Sequence, residues 1–194
     1  VSEGELVVSH GSFKIDSAMQ IAGKQSMMSA PKTVPPKAPV SHDFIENLGP
    51  IYDAYLALQA SLASDDLTRT NSAYGLLKMN MESVGQKNKD LPEPWISLSR
   101  SLESNLPASG EFSSIIAARE VFEAVSVFVL SLEKEFGHTE SRMLYEVFCP
   151  MAFDNKGAFW LQTNKKVNNP YFGASMLSCG EVTESYSPMS GHHE

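Results

Sequence analysis

The chain predicts a mainly α protein: an antiparallel four-helix bundle with a small C-terminal loop and β cap, preceded by a short β segment. Three observations carry that expectation. Apolar residues recur with a period near 3.6 between residues 42 and 136. Ahead of them lies a stretch with Pro31, Pro35, Pro36 and Pro39 among lysine, serine and alanine, which favours an extended spacer with no core of its own. After Leu144 the helical period fails, and short aromatic segments alternate with turn-forming residues. The expected organisation is a terminal β-hairpin over 1–22, a Pro-rich linker over 23–41, the bundle with its cap over 42–184 and a polar tail over 185–194.

The hairpin is read from Glu5-Leu6-Val7-Val8-Ser9-His10, a turn at Gly11, and the alternating Ser12-Phe13-Lys14-Ile15-Asp16. A lone hairpin is marginal in water, and Val1 falls within what reads as a strand, so partner strands are expected upstream. The first helix opens at His42, with Asp43 and Glu46 resembling a capping box. Phe44, Leu48, Ile51, Tyr52, Tyr55, Leu56, Leu58 and Leu62 then form one broad apolar face. Ser64-Asp65-Asp66 starts a second helix, placing acidic residues at its positive end; it carries Leu67, Tyr74, Leu77, Met81 and Val84 and stops near Gly85. Pro92 and Pro94 open a third, with Trp95, Ile96, Leu98 and Leu102. The longest runs from Phe112 to Phe136 with Gly137 as its C-cap. Short connections between four amphipathic helices imply antiparallel neighbours. Tyr145-Glu146-Val147-Phe148, Phe159-Trp160-Leu161-Gln162 and the turn Asn168 to Gly173 make up the cap, its aromatics expected to pack on the bundle.

Hydrophobic residues are 42% and charged residues 20% of the 194, enough apolar material for a substantial core. A net charge of −8 argues against nucleic acid as a partner, and no apolar run is long enough to span a bilayer. There is no Gly-rich phosphate loop, no Gly-x-Ser-x-Gly elbow and no Cys-x-x-Cys pair, so a non-enzymatic role is expected.

Each of the two cysteines has a methionine close by, in Cys149-Pro150-Met151 and in Met176-Leu177-Ser178-Cys179. Thiolates and thioethers select soft cations such as Cu(I) or Ag(I). Residues i and i+2 of an extended segment share a side, which would let Cys149 and Met151 converge; residues i and i+3 of a helical turn share a face, which would join Met176 and Cys179. The competing reading is a disulfide, which in an oxidising compartment would stabilise the fold by roughly 3 to 4 kcal/mol in the chain-entropy model. The two are compatible if a reducible pair binds metal only when reduced.

Glu3-Gly4-Glu5-Leu6-Val7-Val8 with Gly11-Ser12-Phe13-Lys14-Ile15-Asp16-Ser17 resembles the closing strands of periplasmic adaptor (membrane fusion) proteins of copper/silver resistance-nodulation-division efflux pumps. From about residue 42 the chain resembles a C-terminal domain appended to such adaptors and also found alone in secreted bacterial proteins. Its signature here is Tyr145, Cys149-Pro150-Met151-Ala152, Lys156-Gly157-Ala158-Phe159-Trp160-Leu161, Asn169-Pro170-Tyr171-Phe172-Gly173 and Met176-Leu177-Ser178-Cys179-Gly180-Glu181. The resemblance implies a periplasmic component of copper/silver export, with Cys149, Met151, Met176 and Cys179 as candidate ligands for Cu(I) or Ag(I). It implies as partners an inner-membrane transporter and an outer-membrane channel, engaged through the full-length adaptor, and it leaves room for a homo-oligomer. The alternative is a disulfide-stapled interaction module of the same assembly that binds no metal.

Other residues have plainer readings. His138, after the long helix, could add an imidazole ligand but suits the negative end of the helix dipole. His192 and His193 beside Glu194 could hold a divalent ion weakly. Asp65 and Asp66 read as charge-complementing residues at a helix start, Trp160 as core with a possible lid role, and Met27 and Met28 as apolar residues bordering the linker.

Overall fold

A computed structural model describes residues 40–88, 90–107 and 110–189. The chain divides into two units, 1–36 and 37–194, and the described residues all belong to the second. The expected hairpin over 1–22, nearly all of the linker, and His192 and His193 lie outside them.

Helix α1 is short, His42–Glu46, and its cap is Ser41, whose hydroxyl accepts from the Phe44 amide at 3.2 Å. The expected capping box of Asp43 and Glu46 does not form; Glu46 reaches His42 instead, at 3.2 Å. The chain turns at Asn47-Leu48 and restarts as α2, Gly49–Ala63, with Pro50 in the first turn, where a missing amide costs nothing. Helix α3 spans Leu67–Lys87, passing through Gly85, and is capped by Asp66, which accepts from the Arg69 amide at 3.0 Å. Helix α4 is Glu93–Glu103 and α5 is Ile115–Glu135, the latter capped by Ser114.

The expectation of a four-helix bundle with a minor cap is overturned by the chain beyond α5. Strands β1, Leu144–Cys149, β2, Ala158–Gln162, and β3, Glu181–Tyr186, form one antiparallel sheet in the order β2-β1-β3, so the fold is mixed α and β. Helix α2 packs along α3, α4 along α5, and β2 lies against α5 and α2. The physical reason for the difference lies in the strands. β1 is buried or half-buried at every position, and β3 is exposed along nearly its whole length, so neither shows the apolar–polar alternation that marks a strand.

Tyr55 ties the two layers together. Its ring stacks on Phe122 of α5 at 5.5 Å, while its hydroxyl bonds Ser126 Oγ at 3.0 Å and accepts the Leu161 amide of β2 at 2.9 Å. The aromatic contact continues from Phe122 to Tyr171 and on to Trp160, at 5.6 and 5.9 Å between ring centres. A buried sheet amide is thus satisfied from a helix, which fixes β2 on the helical layer.

Candidate functional site

The sheet register brings the cysteines together. Phe148 pairs with Phe159 on one side and Glu181 on the other, and Cys149 closes β1 opposite Ala158. The residues just before Glu181 therefore lie alongside the end of β1. Cys149 Sγ and Cys179 Sγ are 3.3 Å apart, and both cysteines are free thiols. Cys149 has no exposed surface, whereas Cys179 is partly exposed.

Two residues make this approach possible. Gly180 sits at φ +134°, and a Cβ there would stand 2.9 Å from the Trp160 ring and 3.1 Å from the Phe148 carbonyl; only glycine lets the chain cross Trp160 so closely. Asn169, fully buried, donates through Nδ2 to the Cys179 carbonyl at 2.7 Å and accepts the Tyr171 amide at 2.8 Å, while its own amide donates to the Leu177 carbonyl at 2.8 Å. The loop that carries Cys179 is thereby held by one residue, through both its side chain and its backbone amide.

The thioethers are placed differently. β1 ends at Cys149, so Met151 leaves the strand through the Pro150 turn and stands about half exposed. After it, Phe153, Asp154 and Asn155 adopt left-handed conformations at φ 51°, 57° and 66°, unusual for consecutive non-glycine residues although Asp and Asn tolerate them best. Met176 sits in a tight turn in which the Cys179 amide donates to its carbonyl at 3.0 Å. Met151 and Met176 both line an open groove of about 510 Å³ whose other walls include Arg119, Phe153, Tyr171 and Phe172. The cysteines do not line it. The four sulfur residues thus fall into two neighbouring pairs, the buried Cys149 thiol meeting the partly exposed Cys179 thiol and the thioethers lining a groove.

The electrostatics follow from the packing. The Cys149 thiol beside Cys179, with burial second, holds the Cys179 thiol above its ordinary range. Burial above all, with Tyr55 and to a lesser extent Cys149, raises the Tyr171 hydroxyl, so this groove wall stays neutral. Arg119 bridges the groove to the helices: Nε donates to the Pro170 carbonyl at 2.8 Å, and Nη2 to the Leu62 carbonyl at 2.9 Å and to Asp65 Oδ1 at 2.5 Å. Asp65 also accepts the Ala174 amide at 2.9 Å; that bond first, then the Arg119 bond, holds its carboxyl below the usual carboxylate range.

Asp66 is the helix cap expected of it, but Asp65 is a bolt between the α2–α3 turn and the 170–174 loop, a role that adjacency to Asp66 concealed. His138 is fully buried, with Nδ1 3.0 Å from Glu133 Oε2 and Nε2 2.8 Å from the Arg142 carbonyl. Both ring nitrogens face acceptors, so the imidazole is committed to this network and has no nitrogen to offer a metal. Trp160 is core, its indole N–H donating to Gln162 Oε1 at 3.0 Å.

Among the described residues, no group of three or more His, Cys, Asp or Glu side chains gathers as a metal-holding cluster, and no helix is long and apolar enough to cross a membrane. Comparison of the chain with protein-family models, with curated proteins and with solved structures returned no match.

Proposed function

We propose that this chain is a non-enzymatic, periplasmic metal-handling domain of a copper/silver efflux adaptor, and that it takes Cu(I) or Ag(I) between Cys149 and Cys179. The observation that carries the reading is the 3.3 Å approach of the two thiols from segments separated by 30 residues. At a metal–sulfur bond of about 2.3 Å, the zinc–thiolate value, two thiolates stand about 3.8 Å apart at the tetrahedral angle and about 4.6 Å apart in a linear unit. From 3.3 Å the thiols therefore need to part by about 0.5 to 1.3 Å, again taking bonds of that length. Cys149 is fixed by strand pairing, so the Cys179 loop makes that adjustment. Thiolate ligands favour a soft ion over the harder cations.

Met151 and Met176 supply thioethers from the adjoining groove, where their exposure suits transfer of an ion to or from the thiols. The adaptor assignment, with its inner-membrane transporter and outer-membrane channel as partners, is supported by the resemblance of the two end motifs. Copper-edge X-ray absorption of the reduced, anaerobically loaded chain tests the site. A ligand shell containing at least two sulfur atoms is expected. A shell of nitrogen and oxygen alone, or a fully reduced chain that takes up no Cu(I), overturns the reading and leaves the disulfide-stapled interaction module.

A further inference from the structure

We propose that Cys149 and Cys179 also form a reversible dithiol–disulfide pair, entered by exchange with an external disulfide at Cys179 and resolved by Cys149. The sulfur atoms are 3.3 Å apart, and a disulfide bond is about 2.05 Å long, so closure needs a shift of roughly one ångström. The pair is asymmetric in a way that assigns roles. Cys149 has no exposed surface and sits in the β1–β2 ladder opposite Ala158, out of reach of an external disulfide. Cys179 is partly exposed and lies in the loop before β3, tethered by its carbonyl to Asn169 and by its amide to Met176.

The exchange balances with a disulfide RSSR as the oxidant. Cys179 loses its proton and its sulfur attacks RSSR; the donor's S–S bond breaks and one RS⁻ leaves, taking up a proton. The Cys149 sulfur, having lost its own proton, then attacks the Cys179 sulfur of the mixed disulfide and expels the second RS⁻, which is protonated in turn. Two protein thiols and one RSSR become one protein disulfide and two RSH.

Thiol exchange needs only the approach of Cys149 and Cys179 and no metal, so it is tested in metal-free, chelator-treated buffer. The chain is equilibrated with mixtures of oxidised and reduced glutathione, acid-quenched and weighed by mass spectrometry. Loss of both thiols in one step, reversed by excess reduced glutathione, is expected. Cys149→Ser should accumulate one glutathione at Cys179, and Cys179→Ser should react at least tenfold more slowly. In the reduced native chain, which requires no variant to fold, brief alkylation followed by peptide mapping should label Cys179 at least tenfold ahead of Cys149. A chain that keeps both thiols in fully oxidised glutathione at pH 8 overturns the pair. Equal labelling of the two cysteines, or a first glutathione on Cys149, overturns the assignment of entry and resolving roles.

Discussion

Asn169 has no exposed surface, yet its side chain satisfies the Cys179 carbonyl and the Tyr171 amide at once. Truncating it leaves the buried Tyr171 amide and the part-buried Cys179 carbonyl without these partners, and an unsatisfied buried group costs about 1–3 kcal/mol. Asn169→Ala should therefore destabilise the fold by about 3 kcal/mol in a urea titration, and should slow oxidation of the thiol pair by loosening the Cys179 loop. Unchanged stability would show that the loop is held by other contacts. The proposed metal binding would have its own residue-scale signature. Because the Cys179 thiol is held above its ordinary range, the ion must displace a proton there. Cu(I) affinity should fall by at least about tenfold for each pH unit lowered through the neutral range, as a chelator competition at several pH values would measure. A flat profile would remove Cys179 from the ligand set.

At the scale of elements, Arg119 of α5 joins three pieces of chain: the end of α2 through the Leu62 carbonyl, the α2–α3 turn through Asp65, and the 170–174 loop through Pro170. Gly173 completes this joint at φ +57°, where a Cβ would overlap both Asp65 and Arg119. Arg119→Met preserves much of the side-chain length but removes every donor. It should cost about 1.5–3 kcal/mol, the range for charge-assisted bonds, and should raise protease cleavage in the 170–176 loop. Loss of stability without new cleavage would mean that Arg119 serves the helices alone. This joint was poorly legible in the sequence: Asp65 beside Asp66 reads as a second cap residue, and nothing local to Arg119 points to a loop more than 50 residues away. The helices were legible because their faces repeat over many turns. The sheet was not, because β1 is buried on both sides and β3 on neither.

Among the described residues, Tyr55 joins helices to sheet through buried polar contacts, and the Glu133–His138 pair forms another buried polar centre at the end of α5. Burial opposes the charged form of His138, but the Glu133 hydrogen bond, the Arg142 carbonyl and the charges of Glu133 and Glu140 outweigh it and raise the pKa above its ordinary value. A raised folded-state pKa stabilises fully below the unfolded value near 6.5 and loses that contribution as pH rises through the folded value. The urea midpoint should accordingly decline from pH 6 upward, and Glu133→Gln should flatten the slope. A midpoint that rises over this range would contradict a protonated His138. The sequence motifs put Cys149, Met151, Met176 and Cys179 forward as candidate ligands, but only the structure reveals that the thiols approach each other and the thioethers share a separate groove. The most direct test of the account is anaerobic titration of the fully reduced chain with Cu(I) against a competing chelator. The account predicts one tightly held ion per chain, lost in the Cys149→Ser/Cys179→Ser double variant and only weakened by Met151→Leu or Met176→Leu. No uptake by the reduced chain, or uptake unchanged in the double variant, would contradict it.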